Sequence, residues 1–452
     1  MPTPSLTPHH ALTLPLNACG VECCPHEQHR GLVAVASYLH RPGDEDNPGS
    51  RVGQLYLYDL EPIANVDGDG DVEGDASTGW SFLPAGPPLD TKAIFELAWA
   101  PRSWSDDTGP ALAQADAGGF LTLYRVRREE GVVDGGVGDD GELSSSRRYT
   151  PVPLTTLQCG GGGLGMTTCV AWASEQSSGD GIGNGDDLKS SRLAVVGADG
   201  GLRVVSVLDG GELCVEMENS EAHSLEAWAV AFANASSCGG PDVLFTGADD
   251  ACFKAWDVRC GLASPVMQFN ERKSHGAGVT CVSPSPHDLH VVATGSYDES
   301  VRLWDVRVGK KPKGVAQTKL GGGSWRLRWH PRERRLAIAA MDGGAVVLDW
   351  DGCEIRAGVD GEGDGSDGVH TSNGAGYGVN NGGKGGVDTS SEQAELVSKS
   401  FNVSCEYDGH GSIAYGADWG YRSKQSQTDS DVIVSCSFYD KGLHVWTPPK
   451  GV

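Results

Sequence analysis

The chain of 452 residues carries 61 Asp and Glu against 35 Lys and Arg, a formal charge of −26, and 65 of its residues are glycine. Nucleic-acid affinity comes from clustered Lys and Arg neutralising phosphate, so this balance argues against a nucleic-acid partner and for a cationic or protein one. The thirteen cysteines show neither paired C-x-x-C units nor zinc spacing, and no segment has signal-peptide character or the ~18 apolar residues of a membrane span; the expectation is a soluble cytoplasmic monomer with reduced thiols, no membrane contact, no metal and no cofactor.

In chain order, one pattern recurs: a strand, a turn that usually holds Asp, and a second strand. It appears as V-A-S-Y-L-H from Val35 with G-Q-L-Y-L-Y from Gly53, then from Ala113, Val195, Thr246, Thr294, Ile338 and Val434. The copies Thr246–Arg259 and Thr294–Arg307 match best and lie 48 residues apart, close to the ~40 to 45 residues of one WD-repeat blade. Seven copies predict an all-β fold, a single seven-bladed WD-repeat β-propeller with its ring over about residues 11–448. Leu97–Pro101, Val170–Trp172, Leu327–Pro331 and Ala417–Trp419 are expected as inner strands facing a channel, and Ala11–Leu16 as the outer strand closing the last blade. Four stretches near 63–80, 128–148, 175–190 and 354–396 are rich in Gly, Asp, Asn and Ser. They bury too little apolar surface to offset ordering entropy and are expected as disordered loops that hold much of the negative charge.

His223, His275 and His410 invite a general-base reading, because His titrates near neutral pH. The repeat favours a structural one: a His at the blade entrance bonds the turn Asp, which is tied in turn to the blade Trp. His223 with Asp250 and Trp256, and His275 with Asp298 and Trp304, fit that pattern. No G-x-S-x-G is present, so a hydrolytic site would have to be built on propeller loops. Propellers present ligands from the entrances of the inner strands and from the residue before the turn Asp. The entrances offer Glu226, Trp228, Ser324, Trp325 and Tyr415; the pre-Asp positions offer Asp249, Tyr297 and Tyr439. The set is aromatic and acidic, although each ring taken singly also suits packing at a channel mouth.

Residues that repeat physics does not demand include Glu221-Ala222-His223, Glu226-Ala227-Trp228, Thr294–Glu299, Trp325-Arg326, Trp329-His330-Pro331, Tyr415–Trp419 and Cys436–Asp440. This series resembles the diphthine methylesterase family of WD-repeat proteins. The resemblance is dense over about 221–350 and 411–446 and faint before 166. It implies hydrolysis of the methyl ester of diphthine on elongation factor 2, before the final amidation to diphthamide, with elongation factor 2 as partner. Such a substrate bears a quaternary ammonium, which aromatic cages recognise. Tyr297, Trp325 and Tyr439, with Trp228 and Tyr415 beside them, are the expected cage, and Glu226 or Asp249 the expected base. The competing reading is a non-enzymatic scaffold or a substrate receptor of a cullin-type ubiquitin ligase. The paired Trp-Asp-Val-Arg boxes at Trp256–Arg259 and Trp304–Arg307 resemble those of such receptors.

Overall fold

In the computed structural model each of the seven repeats forms an antiparallel sheet whose strands succeed one another outward from a central channel. The structure describes residues 6–43, 49–63, 79–101, 109–129, 148–160, 165–173, 191–234, 240–269, 275–307, 311–356, 395–398, 401–420 and 431–451. The inner strands are Asn17–Cys23, Ile94–Trp99, Thr167–Trp172, Ala227–Phe232, Val279–Pro284, Arg326–Trp329 and Ala414–Gly420. Each touches the next around a closed ring. The fold is the expected seven-bladed WD-repeat β-propeller.

Seven apolar clusters hold the ring, each made by the facing sides of two neighbouring blades. Between blades four and five, Phe245, Phe253 and Phe269 meet Val282, Val292 and Trp304. Both faces of a blade are thereby covered, and in five of the seven blades the second strand is buried along its whole length, as in Val243–Ala248 and Val291–Ser296. Such strands read as apolar runs instead of alternating ones.

His10–Thr13 pairs with Gly442–Trp446, His10 opposite Val445 and Thr13 opposite Gly442, and so covers the edge of blade seven. The closing strand lies slightly earlier than the expected Ala11–Leu16. Pairing stops at Thr13 because Leu14 turns inward, its N–H bonded to Lys441 O, and blade one begins at Asn17.

Of the four expected loops, residues 64–78, 130–147, 175–190 and 357–394 lie outside the described residues. Their margins are strand. In particular Cys353–Arg356 pairs with Glu395–Ser398, so the expected boundaries at 354 and 396 are corrected inward by backbone pairing. Among the described residues no helix is long and apolar enough to cross a membrane.

Candidate functional site

Six of the seven inner strands skip one residue of register at their start: Cys19, Phe95, Thr168, Trp228, Thr280 and Tyr415. A bulged residue has no partner across the ladder and its side chain is re-aimed. The three polar ones bond the next blade: Cys19 Sγ donates to Ile94 O at 3.0 Å, Thr168 Oγ1 to Ala227 O, and Thr280 Oγ1 to Ser324 O. The three aromatic ones converge on the channel mouth, where Trp325, just before the inner strand of blade six, joins them.

There the rings form a closed circuit. Centroids are 6.4 Å apart for Phe95 and Trp228, 5.6 Å for Trp228 and Trp325, 5.1 Å for Trp325 and Tyr415, and 5.1 Å for Tyr415 and Phe438. Tyr38 closes it, 5.9 Å from Phe438 and 5.8 Å from Phe95. These are the spacings of tilted and edge-to-face aromatic contacts. Tyr297 leans on Trp325 at 6.1 Å and Tyr439 stands edge-on to Phe438 at 5.1 Å. Tyr297 is 37% and Tyr439 72% exposed, whereas Trp325 is 6% exposed, so the first two form the open rim and the last a packed hub.

All five expected ring residues therefore share one mouth. Phe95 and Tyr38 were missed, and Phe438 was named only within the resemblance. Phe95 holds the same bulge position as Trp228, and Phe438 directly precedes Tyr439, so alignment of inner strands was the available signal; Tyr38 sits in the most divergent repeat.

Both expected acids stand beside Trp228. Asp249 N donates to Glu226 O at 2.9 Å, which ties the turn to the inner-strand entrance. Burial raises the Asp249 carboxyl above the ordinary Asp range; the Trp228 indole opposes that rise, and the charges of Glu226 and Asp250 add to it. Asp249 Oδ1 and Trp228 Nε1 are both enclosed, and neither makes a hydrogen bond of good geometry among the described residues. A Cβ on Gly278 would lie 2.3 Å from Asp249 Oδ1, so only glycine leaves that carboxylate its space.

Below the rings, charge crosses the channel. Arg326 of blade six reaches Glu96 of blade two at 2.6 Å and donates to Phe95 O and Trp325 O, both at 2.9 Å. Its guanidinium lies 5.1 Å from the Trp325 ring centroid. Arg328 meets the other Glu96 oxygen at 3.2 Å. Glu22 accepts from Trp99 N at 3.1 Å, and Asp418 from Cys23 N at 2.7 Å and Trp419 N at 2.8 Å. Burial pushes the Asp418 carboxyl up to about 6 against the pull of Arg328, and raises Glu22 well above the carboxylate range. Glu22, Glu96, Arg326 and Arg328 of this layer line, together with Trp228, a channel cavity of about 330 Å³. Sequence reading named Arg326 within a resemblance and placed Arg328 and Asp418 on inner strands, and it missed Glu22 and Glu96, because their partners lie on distant blades.

The histidines differ from blade to blade. In blade four His223 Nδ1 lies 3.1 Å from both Asp250 oxygens, and its Nε2 is 2.8 Å from Thr246 Oγ1, to which Trp256 Nε1 donates at 2.9 Å. Burial alone would raise Asp250, but His223 and two backbone N–H groups bring it down to about 2. In blade five the expected His275–Asp298 bond is absent. His275 Nε2 meets Thr294 Oγ1 at 2.9 Å, where Trp304 Nε1 also donates at 2.7 Å, and His275 Nδ1 has no partner among the described residues. Asp298 is instead held by Arg302 through contacts of 3.0 and 2.7 Å. A guanidinium fork four residues on captures the carboxylate bidentately, whereas Lys254, at the same place in blade four, reaches Ala222 O at 2.6 Å and leaves Asp250 to the histidine. In blade seven a serine intervenes: His410 bonds Ser437, which donates to Asp440 at 2.5 Å.

The Trp-Asp-Val-Arg boxes lie at the opposite face, where the third strand of each blade ends, and each arginine folds back on its own aspartate at 2.7 Å. One His/Glu/Asp cluster, His330 with Glu333 and Asp431, occurs among the described residues. His330 Nδ1 accepts from the backbone N–H groups of Arg332 and Glu333, which leaves the proton on Nε2 facing Asp431 at 3.1 Å and no lone pair there for a metal.

Repeat, ring and hydrogen-bonded turns define a WD-repeat propeller with an aromatic, acid-flanked cup at one mouth. The family model "WD domain, G-beta repeat" matches residues 265–305. The chain is similar to the human protein named diphthine methyltransferase, 28% identical over 350 residues that cover 74% of this chain and 66% of the relative. The mouse protein of that name is 28% identical over 348 residues, 75% and 62% of the two chains. A diphthine methyltransferase homolog of Dictyostelium discoideum is 31% identical over 260 residues, 56% and 58%. The chain thus spans 58% to 66% of the length of these curated relatives.

Proposed function

We propose that the chain is a carboxyl methylesterase that hydrolyses the methyl ester of diphthine on elongation factor 2, a step of diphthamide biosynthesis before the final amidation. The observation that carries this reading is the closed aromatic circuit with the enclosed Asp249 carboxylate against it. The relatives are named for diphthine, whose side chain bears a quaternary ammonium. Such a cation seeks aromatic faces, at roughly 0.5 to 2 kcal/mol per good contact. Tyr297 and Tyr439 offer open rings, with Trp325, Tyr415 and Trp228 behind them.

Although the relatives' names say methyl transfer, a cup that selects a fully methylated ammonium suits a substrate whose N-methylation is complete, and the acid beside it suits removal of the ester methyl. In the reaction water oxygen attacks the ester carbonyl carbon while Asp249, or Glu226, accepts a water proton. The C–OCH3 bond then breaks, and methoxide takes that proton to leave as methanol, while the new carboxylic acid gives the second water proton to solvent and remains on the substrate as a carboxylate. The Trp228 Nε1–H, enclosed beside Asp249 and without a hydrogen bond of good geometry among the described residues, is a donor suited to the oxyanion.

The test is methanol release from methyl-esterified elongation factor 2. Wild type should release methanol and Asp249→Asn should lose most turnover with little change in KM, whereas Tyr297→Leu should mainly raise KM. A folded wild-type protein that binds the esterified factor and releases no methanol would favour the scaffold role instead. Wild-type activity in both Asp249→Asn and Glu226→Gln would remove both bases.

A further inference from the structure

The cup has an internal contradiction that only its floor resolves. A site built to hold a quaternary ammonium has a guanidinium, Arg326, 5.1 Å from the centroid of its central ring, Trp325. Arg326 and Trp325 are 7% and 6% exposed, so bulk water screens little of that charge. A ligand cation seated within ~6 Å of an aromatic centroid in the cup would lie on the order of 10 Å from the guanidinium. At an effective dielectric of about 20, repulsion at that range lowers affinity on the order of tenfold. What cancels it is Glu96, 8% exposed, whose Oε2 is 2.6 Å from Arg326 and whose Oε1 also meets Arg328 at 3.2 Å. Glu96 comes from the far side of the ring, next to Phe95, and Arg326 donates to the carbonyls of both Phe95 and Trp325. One guanidinium thus fixes the backbone of two ring members and sets the charge beneath them.

We propose that Glu96 and Arg326 determine the charge selectivity of the aromatic cup: Arg326 positions Trp325 and Phe95, and Glu96 neutralises Arg326 so that the cup accepts a quaternary ammonium in preference to its uncharged isostere. The inference rests on the cup being an ammonium site, as proposed above. It adds two positioning residues that touch no substrate and a direction of effect for each.

The experiment titrates the full chain with choline and with 3,3-dimethylbutan-1-ol, the same shape with carbon in place of nitrogen, following indole fluorescence with Trp325→Leu as the control for site. Wild type should prefer choline. Glu96→Gln, nearly isosteric, should lose roughly tenfold in choline affinity while its affinity for the alcohol stays within twofold. Arg326→Gln should shift the ratio the other way, toward choline; a role confined to holding the fold would move both ligands together. If wild type shows no preference for choline, or Trp325→Leu retains it, the ammonium cup itself fails and the charge proposal falls with it. If wild type prefers choline and Glu96→Gln keeps the same ratio, the cup stands and the present proposal is overturned. Should Glu96→Gln fold poorly by thermal melt, the opposite shift in Arg326→Gln decides alone: an unchanged or lowered choline preference overturns it.

Discussion

His275 should make the protein lose stability on mild acidification, and the size of the loss follows from its surroundings. The ring is 1% exposed and sits near Arg302; among the described residues it makes one hydrogen bond and its Nδ1 has no partner. Burial first, then the Arg302 charge, brings its pKa from 6.5 down to about 4. The unfolded chain therefore takes up a proton between pH 6.5 and 4 that the folded chain refuses. Because the folded pKa is depressed, the stability is complete above pH 6.5 and lost as pH falls through 4. Each pH unit in that window is worth about 1.4 kcal/mol, so roughly 2 kcal/mol goes by pH 5 and about 3 kcal/mol in all. His275→Gln keeps much of the volume and a donor for Thr294 but does not titrate. Urea melts at pH 7.5, 6 and 5 should show wild type losing about 2 kcal/mol more than the variant over that range. At pH 7.5 the folded variant should retain its methanol-release activity, since the residue lies in a blade-internal network. Equal losses in the two proteins would refute the buried neutral imidazole. Wild-type stability at pH 7.5 with no activity would make His275 catalytic.

Arg302→Ala should free Asp298 and remove the repelling charge, so the His275 pKa read by NMR should rise toward the ordinary range; an unmoved value would show that burial alone depresses it. Gly278→Ala places a methyl where Asp249 Oδ1 now lies, 2.3 Å away, and should lower kcat at least tenfold with a change of less than about 1 kcal/mol in urea-melt stability; full turnover would remove Asp249 from the chemistry. Deleting residues 1–14 removes the closing strand and buried Leu14, and should cost about 3 kcal/mol or more while exposing the Gly442–Trp446 edge to self-association. An unchanged melting temperature and a monomeric elution would show that the ring does not depend on that closure.

The repeated strand, turn and strand were enough to indicate seven blades, since most copies carry their own local signals: Asp for the turn in six of them, apolar runs for strands covered on both faces, and a terminal Trp in blades four, five and seven. The same periodicity placed Trp228, Trp325 and Tyr415 at strand entrances and Asp249, Tyr297 and Tyr439 before the turn Asp, so the rim of the cup was legible from spacing. Even the exchange of the His275–Asp298 bond for Asp298–Arg302 left a trace in the sequence, as Asp199 and Arg203 make the same pair four residues apart in blade three. What no local pattern contains is which blades face each other across the axis. Glu96 and Arg326 stand 230 residues apart and meet at 2.6 Å because ring closure brings blades two and six together. Tyr38 and Phe95 join the aromatic circuit for the same reason. Single-residue bulges turn three entrance aromatics inward, and a bulge is a matter of pairing between strands, so the cup and its charge balance exist only once the seven sheets have closed.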